Sequence, residues 1–128
     1  MLERHKAENA DIERIIRHLV KEGYIDEFRY AAAFVHDKVR FAKWGRVKIG
    51  QALWQKRIPA GVADEALSRI DEDEYLTALK DVVASRYRQT KGATEYERKM
   101  KTMKSVCSRG YEPALVRKVL NLQDSSDD

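Results

Sequence analysis

The sequence predicts an all-α protein of tandem three-helix repeats that stack into an elongated, curved array. Three observations predict it. Six Gly and two Pro in 128 residues, with 36% charged residues against a usual figure of about 25%, favour long helices over a turn-rich β fold. Apolar residues recur at spacings of three and four, and no stretch alternates with a period of two. The chain also matches itself at an offset of 53 residues: Val47 with Met100, Leu53 with Val106, Arg57 with Gly110, Ile58 with Tyr111, Val62 with Leu115, Ala63 with Val116, Ala66 with Val119 and Leu67 with Leu120. Each matched pair of short helices follows a long one, so the unit is long-short-short, and its apolar faces are buried against neighbouring units.

The elements follow in order. Ile12, Ile15, Ile16, Leu19 and Val20 form one face of a helix over Asp11–Glu22, which Gly23 is expected to end, with Tyr24 packing back on the last turn. Asp26 then caps a helix carrying Phe28, Ala31, Ala32, Val35, Val39 and Ala42, which runs to about Lys43. Trp44-Gly45 breaks it. Arg46–Lys56 is a shorter helix with Val47, Ile49, Ala52 and Leu53 inward, and Pro59 separates it from Ala60–Ile70, built on Val62, Ala63, Ala66, Leu67 and Ile70. Asp71 with Glu74 opens a long helix with Tyr75, Leu76, Leu79, Val82, Val83 and Tyr87 inward, fading near Thr90. Thr94 and Glu97 form a capping box before Tyr96, Met100, Met103, Val106 and Cys107, and Gly110 closes that helix. Pro113–Leu122 is the last. The expected division is residues 1–25 as the closing helix of an incomplete first repeat, 26–70 and 71–122 as the second and third repeats, and 123–128 as a disordered acidic tail. Trp54, beside Leu53, is expected in or at the edge of the core; Trp44 either caps the core or is displayed.

Several function classes are excluded or disfavoured. No apolar run approaches the roughly 20 residues that span a bilayer, and none follows the N-terminus as in a secretory signal. The single cysteine, Cys107, cannot form an internal disulfide, and a reducing, cytoplasmic setting is expected. His5, His18 and His36 share no motif, Cys107 falls on an apolar helix face, and the run Asp71–Glu74 suits a helix start, where the backbone dipole favours negative charge. No glycine-rich phosphate loop occurs. No enzyme activity, metal, cofactor or small-molecule substrate is therefore expected.

Charge is where the sequence points to function. The net charge is a mild +4, but no acidic residue lies between Asp37 and Asp64, a stretch holding Lys38, Arg40, Lys43, Arg46, Lys48, Lys56 and Arg57. A second run comprises Arg98, Lys99, Lys101, Lys104 and Arg109. Cations around the ring of Trp44 at a bend suit phosphates or an acidic partner groove, a solvated face being the bland alternative for Lys38, Lys56 and Lys104. Arg57 occupies the slot that Gly110 fills in the other repeat, where a left-handed non-Gly residue costs roughly 1 kcal/mol. Either that helix ends differently or the side chain is kept for contact.

In Gly23-Tyr24-Ile25-Asp26-Glu27 through Arg29-Tyr30-Ala31, then Trp44-Gly45-Arg46-Val47-Lys48-Ile49, Gln51-Ala52-Leu53 and Lys56-Arg57-Ile58, the chain resembles RecX, the family of bacterial regulators of the RecA recombinase. Arg109-Gly110-Tyr111 with Leu115 and Val119-Leu120 is similar to the family's closing repeat. The resemblance implies an elongated array of three-helix repeats without enzyme activity of its own. It implies binding in the groove of the RecA filament on single-stranded DNA, with the basic residues meeting either acidic groove walls or nearby DNA phosphate, and depression of ATP hydrolysis, strand exchange and repressor cleavage. Arg40, Lys43, Arg46 and Lys48, with Trp44, Lys56 and Arg57 beside them, are the first expected contact surface, and Lys99, Lys101, Lys104 and Arg109 the second. The family has two further helices before Asp11, which would leave the face of Ile12, Ile16 and Leu19 exposed here, and a glycine where this chain has Arg57. The competing readings are a stand-alone helical DNA-binding module and a plain scaffold.

Overall fold

A computed structural model describes residues 2–122, with side chains from Ala10 onward. Helix α1, Leu2–Asp37, runs into a π-helical turn, Lys38–Ala42; α2 (Arg46–Gln55), α3 (Ala60–Ser68), α4 (Glu72–Gln89), α5 (Glu95–Cys107) and α6 (Pro113–Leu120) follow. Among the described residues there is no strand. The long-short-short order occurs twice, as tandem three-helix units.

The helix ends show why these residues fold this way. Asp71 accepts from the Glu74 N–H at 3.0 Å, and Thr94 accepts from the Glu97 N–H at 3.1 Å. Glu97 reaches back to the Ala93 N–H at 3.2 Å, and Lys101 followed by that N–H holds its carboxyl below the usual range. At the end of α2 the Ile58 N–H donates to Leu53 carbonyl (3.1 Å) and the Arg57 N–H to Trp54 carbonyl (2.9 Å), a Schellman motif. Arg57 therefore does adopt the left-handed conformation, at φ 63°, as Gly110 does at φ 94° in the matched slot.

The core is continuous across both units. Ala31 and Val35 of α1 and Val39 of the π-helical turn, four residues apart, are buried in one cluster with Ile49 and Leu53 of α2 and Val62, Ala63 and Ala66 of α3. Tyr75, Leu79, Val82 and Val83 of α4 join Met103 and Val106 of α5 and Val116 and Leu120 of α6 in that cluster. Thr102, fully buried, donates its hydroxyl to the Arg98 carbonyl at 2.8 Å. Residues 123–128, the expected tail, lie outside the described residues.

Several expectations are corrected. Helix α1 passes through Gly23 and Asp26 without a break. A glycine cap needs the next residue to pack back, but Tyr24 is 49% exposed and a Cβ on Gly23 would meet nothing, so the local hydrogen-bond ladder simply continues. The glycine costs that helix only about 1 kcal/mol. Tyr24 is accordingly displayed rather than structural. Val47 and Tyr96 also face outward, and Trp54, expected at the core, is 79% exposed. Residues 10–27 of α1 are exposed throughout, Ile12, Ile16 and Leu19 included.

Candidate partner-binding face

The corner Trp44-Gly45-Arg46, which separates α1 from α2, is where the two units clasp. The Gly45 N–H donates to the Arg109 carbonyl at 2.8 Å and the Val47 N–H to the Gly110 carbonyl at 3.0 Å. Only glycine fits: a Cβ on Gly45 would stand 2.2 Å from the Gly110 backbone. The Arg109 Nε donates to the Lys43 carbonyl at 3.1 Å and its Nη2 to the Ala42 carbonyl, closing the π-helical turn. Lys43 itself is left-handed, at φ 55°.

Arg46 ties the same corner to α4 and α6. Its backbone N–H donates to the Tyr75 hydroxyl at 2.9 Å, its Nη1 to Glu112 at 2.9 Å and its Nη2 to Glu72. The guanidinium lies 4.0 Å from the Tyr75 ring centre, and the Tyr75 hydroxyl donates to Glu112. Burial opposes the Arg46 charge, but Glu112 and Glu72 outweigh it and its pKa is raised. Burial, then the Glu112 carboxylate, raises the Tyr75 phenol well above its ordinary range. Arg46 and Arg109, both expected on the contact surface, are thus engaged within the molecule.

The remaining cations of the first run divide. Tyr30, Phe34 and Lys38 stand four residues apart on α1 and its π turn, with Tyr30 and Phe34 stacked at 6.3 Å and Trp44 edge-on to Phe34 at 6.5 Å. The ammonium of Lys38 lies 4.6 Å from the Trp44 ring centre, that of Lys48 4.4 Å, and that of Lys56 5.4 Å from Phe34. Trp44 is half-buried, packing against the core with the Lys38 and Lys48 ammonium groups over its ring. The patch gathers three ammonium groups, with Asp37 at 3.9 Å from Lys38 as the acidic neighbour. Arg40 and Lys43 instead line a groove with Asp73, Glu74 and Asp81 of α4, where Lys43 stands 3.5 Å from Asp81.

The second run is mostly paired along its own helix. Lys99 meets Glu95 at 3.4 Å, and Lys101 meets Glu97 at 3.1 Å. Arg98 stacks 3.8 Å above Tyr87 and donates to the Tyr87 and Thr90 carbonyls. Lys104 is exposed.

Phe41, 72% exposed, has no counterpart among the residues expected at the surface, and Trp54, expected in or at the edge of the core, is 79% exposed. The signal for Trp54 was present: Val47, Gln51 and Trp54 fall on the side of α2 opposite the buried Ile49 and Leu53. Arg57, exposed beside them, makes no ion pair among the described residues.

Reactive groups are sparse. His18 pairs with Glu22 at 3.1 Å on the exposed stretch of α1, and His36 is exposed. Burial pushes the Cys107 thiol up, disfavouring the thiolate. Among the described residues no His, Cys, Asp or Glu cluster is arranged to hold a metal ion, and no helix is long and apolar enough to cross a membrane.

Comparison with known proteins agrees with this architecture. Residues 26–67 match the family model described as RecX, second three-helix domain, and residues 72–120 that of RecX, third three-helix domain. The regulatory protein RecX of Clostridium tetani is 30% identical over 116 residues, covering 89% of this chain and 53% of its own length. Its counterpart in Chlorobium phaeobacteroides is 30% identical over 120 residues, 94% of this chain and 77% of the relative. That in Leptothrix cholodnii is 30% identical over 125 residues, 97% and 76%. The chain thus spans about half the length of the Clostridium relative and about three quarters of the other two. No solved structure matches. Two tandem family domains and relatives covered over most of their length establish that this chain belongs to the RecX family of regulatory proteins.

Proposed function

We propose that this protein binds the RecA filament on single-stranded DNA in the cytoplasm and depresses its ATPase, strand-exchange and coprotease activities, without chemistry of its own. The observation that carries this reading is the Lys38–Lys48–Lys56 cluster around Phe34 and Trp44, on a helical body whose family is one of regulatory proteins. Such a face complements acidic walls of a filament groove or nearby phosphate, and a stiff helical array bridging subunits would oppose the changes that accompany turnover. Lys48, Lys56, Arg57, Arg40 and Lys43 are the proposed contacts, with Lys99, Lys101 and Lys104 a second set. The same reading takes residues 26–70 and 71–122 as two repeats, and the exposed Ile12–Leu19 face of α1 as a surface for a preceding one.

The test is ATP hydrolysis by preformed RecA filaments titrated with the protein, beside a DNA-only binding assay at matched salt. Inhibition at concentrations that leave bare DNA unbound is expected. Tight, salt-sensitive DNA binding with no inhibition would favour a stand-alone nucleic-acid module, the reading that the lysine cluster also suits.

A further inference from the structure

We propose that Trp54 and Arg57, at the C-terminal end of α2, are the anchor of the protein–protein contact, inserting into an apolar pocket rimmed by carboxylates on the recombinase. This rests on the RecA reading above and names the part of the surface that carries affinity. The outward side of α2 presents Val47, Gln51 and Trp54, none of them charged, with Trp54 79% and Val47 49% exposed. An uncharged stripe is poorly matched to a phosphate track, which is read by cations along its length. It is well matched to the apolar centre of a protein interface, in which Trp and Arg supply a large share of the binding energy.

Along α2 and its C-terminal end every charge is positive. Lys48, Lys56 and Arg57 flank the stripe, and no acidic residue occurs between Asp37 and Asp64. The partner surface must therefore be apolar at its centre and acidic at its rim. Arg57 adds an independent argument. It holds φ 63° in the slot that Gly110 fills in the other unit, accepting backbone strain that glycine would relieve. The Schellman hydrogen bonds offset that strain in part, while the side chain, exposed and without an ion pair in the described molecule, is left for a carboxylate on the partner.

The experiment compares the full chain with its W54A, R57G and R57E variants in inhibition of ATP hydrolysis by RecA filaments, in binding to single-stranded DNA alone, and in thermal melting. W54A should raise the half-inhibitory concentration at least about tenfold with an unchanged melt, since the indole leaves no core contact behind. R57G should weaken inhibition several-fold while melting no lower than the wild type, and R57E should weaken it further. A structural residue would instead lose stability and inhibition together. Inhibition by W54A and R57G equal to the wild type overturns the proposal, as does a W54A defect confined to DNA alone, which would make the indole a base-stacking platform. A wild-type dimer in sedimentation that W54A dissolves would assign the stripe to self-association and overturn it too. If the wild type itself leaves ATP hydrolysis unchanged, the RecA reading fails, and the anchor falls with it.

Discussion

Arg46 and Arg109 illustrate what a cation in a basic run does not disclose. Both belong to runs that read as contact surface, yet one grips Glu72 and Glu112 and the other the carbonyls of Ala42 and Lys43, partners 26 to 67 residues away in the chain. Spacing along a helix carries no signal for such distant pairs. Arg46→Ala should therefore cost about 1–3 kcal/mol in urea unfolding, because Glu112 loses a charged, part-buried donor and the Tyr75 ring the cation over it, while the backbone N–H to the Tyr75 hydroxyl remains; Lys48→Ala, with an ammonium over a half-exposed ring, should cost well under 1 kcal/mol. Tyr111 offers a contrary case. It is 1% exposed and its hydroxyl has no partner in the described structure, so Tyr111→Phe should leave stability unchanged or raise it by about 1 kcal/mol. Burial pushes the same phenol up to about 12. Above pH 10 the unfolded chain loses that proton while the folded chain keeps it, so stability should fall from about pH 10 to 12. Unfolding curves across that window should slope less steeply in the Tyr111→Phe variant.

At the scale of elements the sequence was largely legible. The caps at Asp71 and Thr94, the proline at the start of α6 and the left-handed ends at Arg57 and Gly110 all stand where local chemistry requires them. Leu53 and Val106, matched by the internal offset, are both fully buried. The match fails in telling which faces are covered. Trp54 and Cys107 share a repeat position, yet α5 lies between α4 and α6 whereas α2 leans chiefly on α3, so the same position is half-buried in one unit and displayed in the other. Gly23 fails for a related reason: a helix end depends on something to turn against, and the exposed stretch of α1 has no such neighbour. Gly45, by contrast, has a neighbour too close for any side chain. Gly45→Ala should cost about 1–3 kcal/mol, since Cβ would enter the Gly110 backbone, and hydrogen exchange at Gly45 and Val47 should quicken in that variant.

For the whole molecule, charge and attachment decide behaviour. Inhibition of the filament should weaken as salt rises from 50 to 200 mM, because the Lys38, Lys48 and Lys56 ammonium groups lie on a part-exposed surface where ions screen them. Titrations at the two salt concentrations check it. A loss of the same size in Trp54→Ala as in the wild type would mark the electrostatic and apolar contributions as separable. The route between the units also matters. Gly45 and Val47 are joined to Arg109 and Gly110 through main-chain atoms, and Arg109 then locks the end of the first long helix. Side chains at a hinge can slide past one another, but peptide groups bonded across a corner cannot yield without breaking. Turning one half of the body against the other therefore means breaking these main-chain hydrogen bonds, so the corner acts as a brace between the two units.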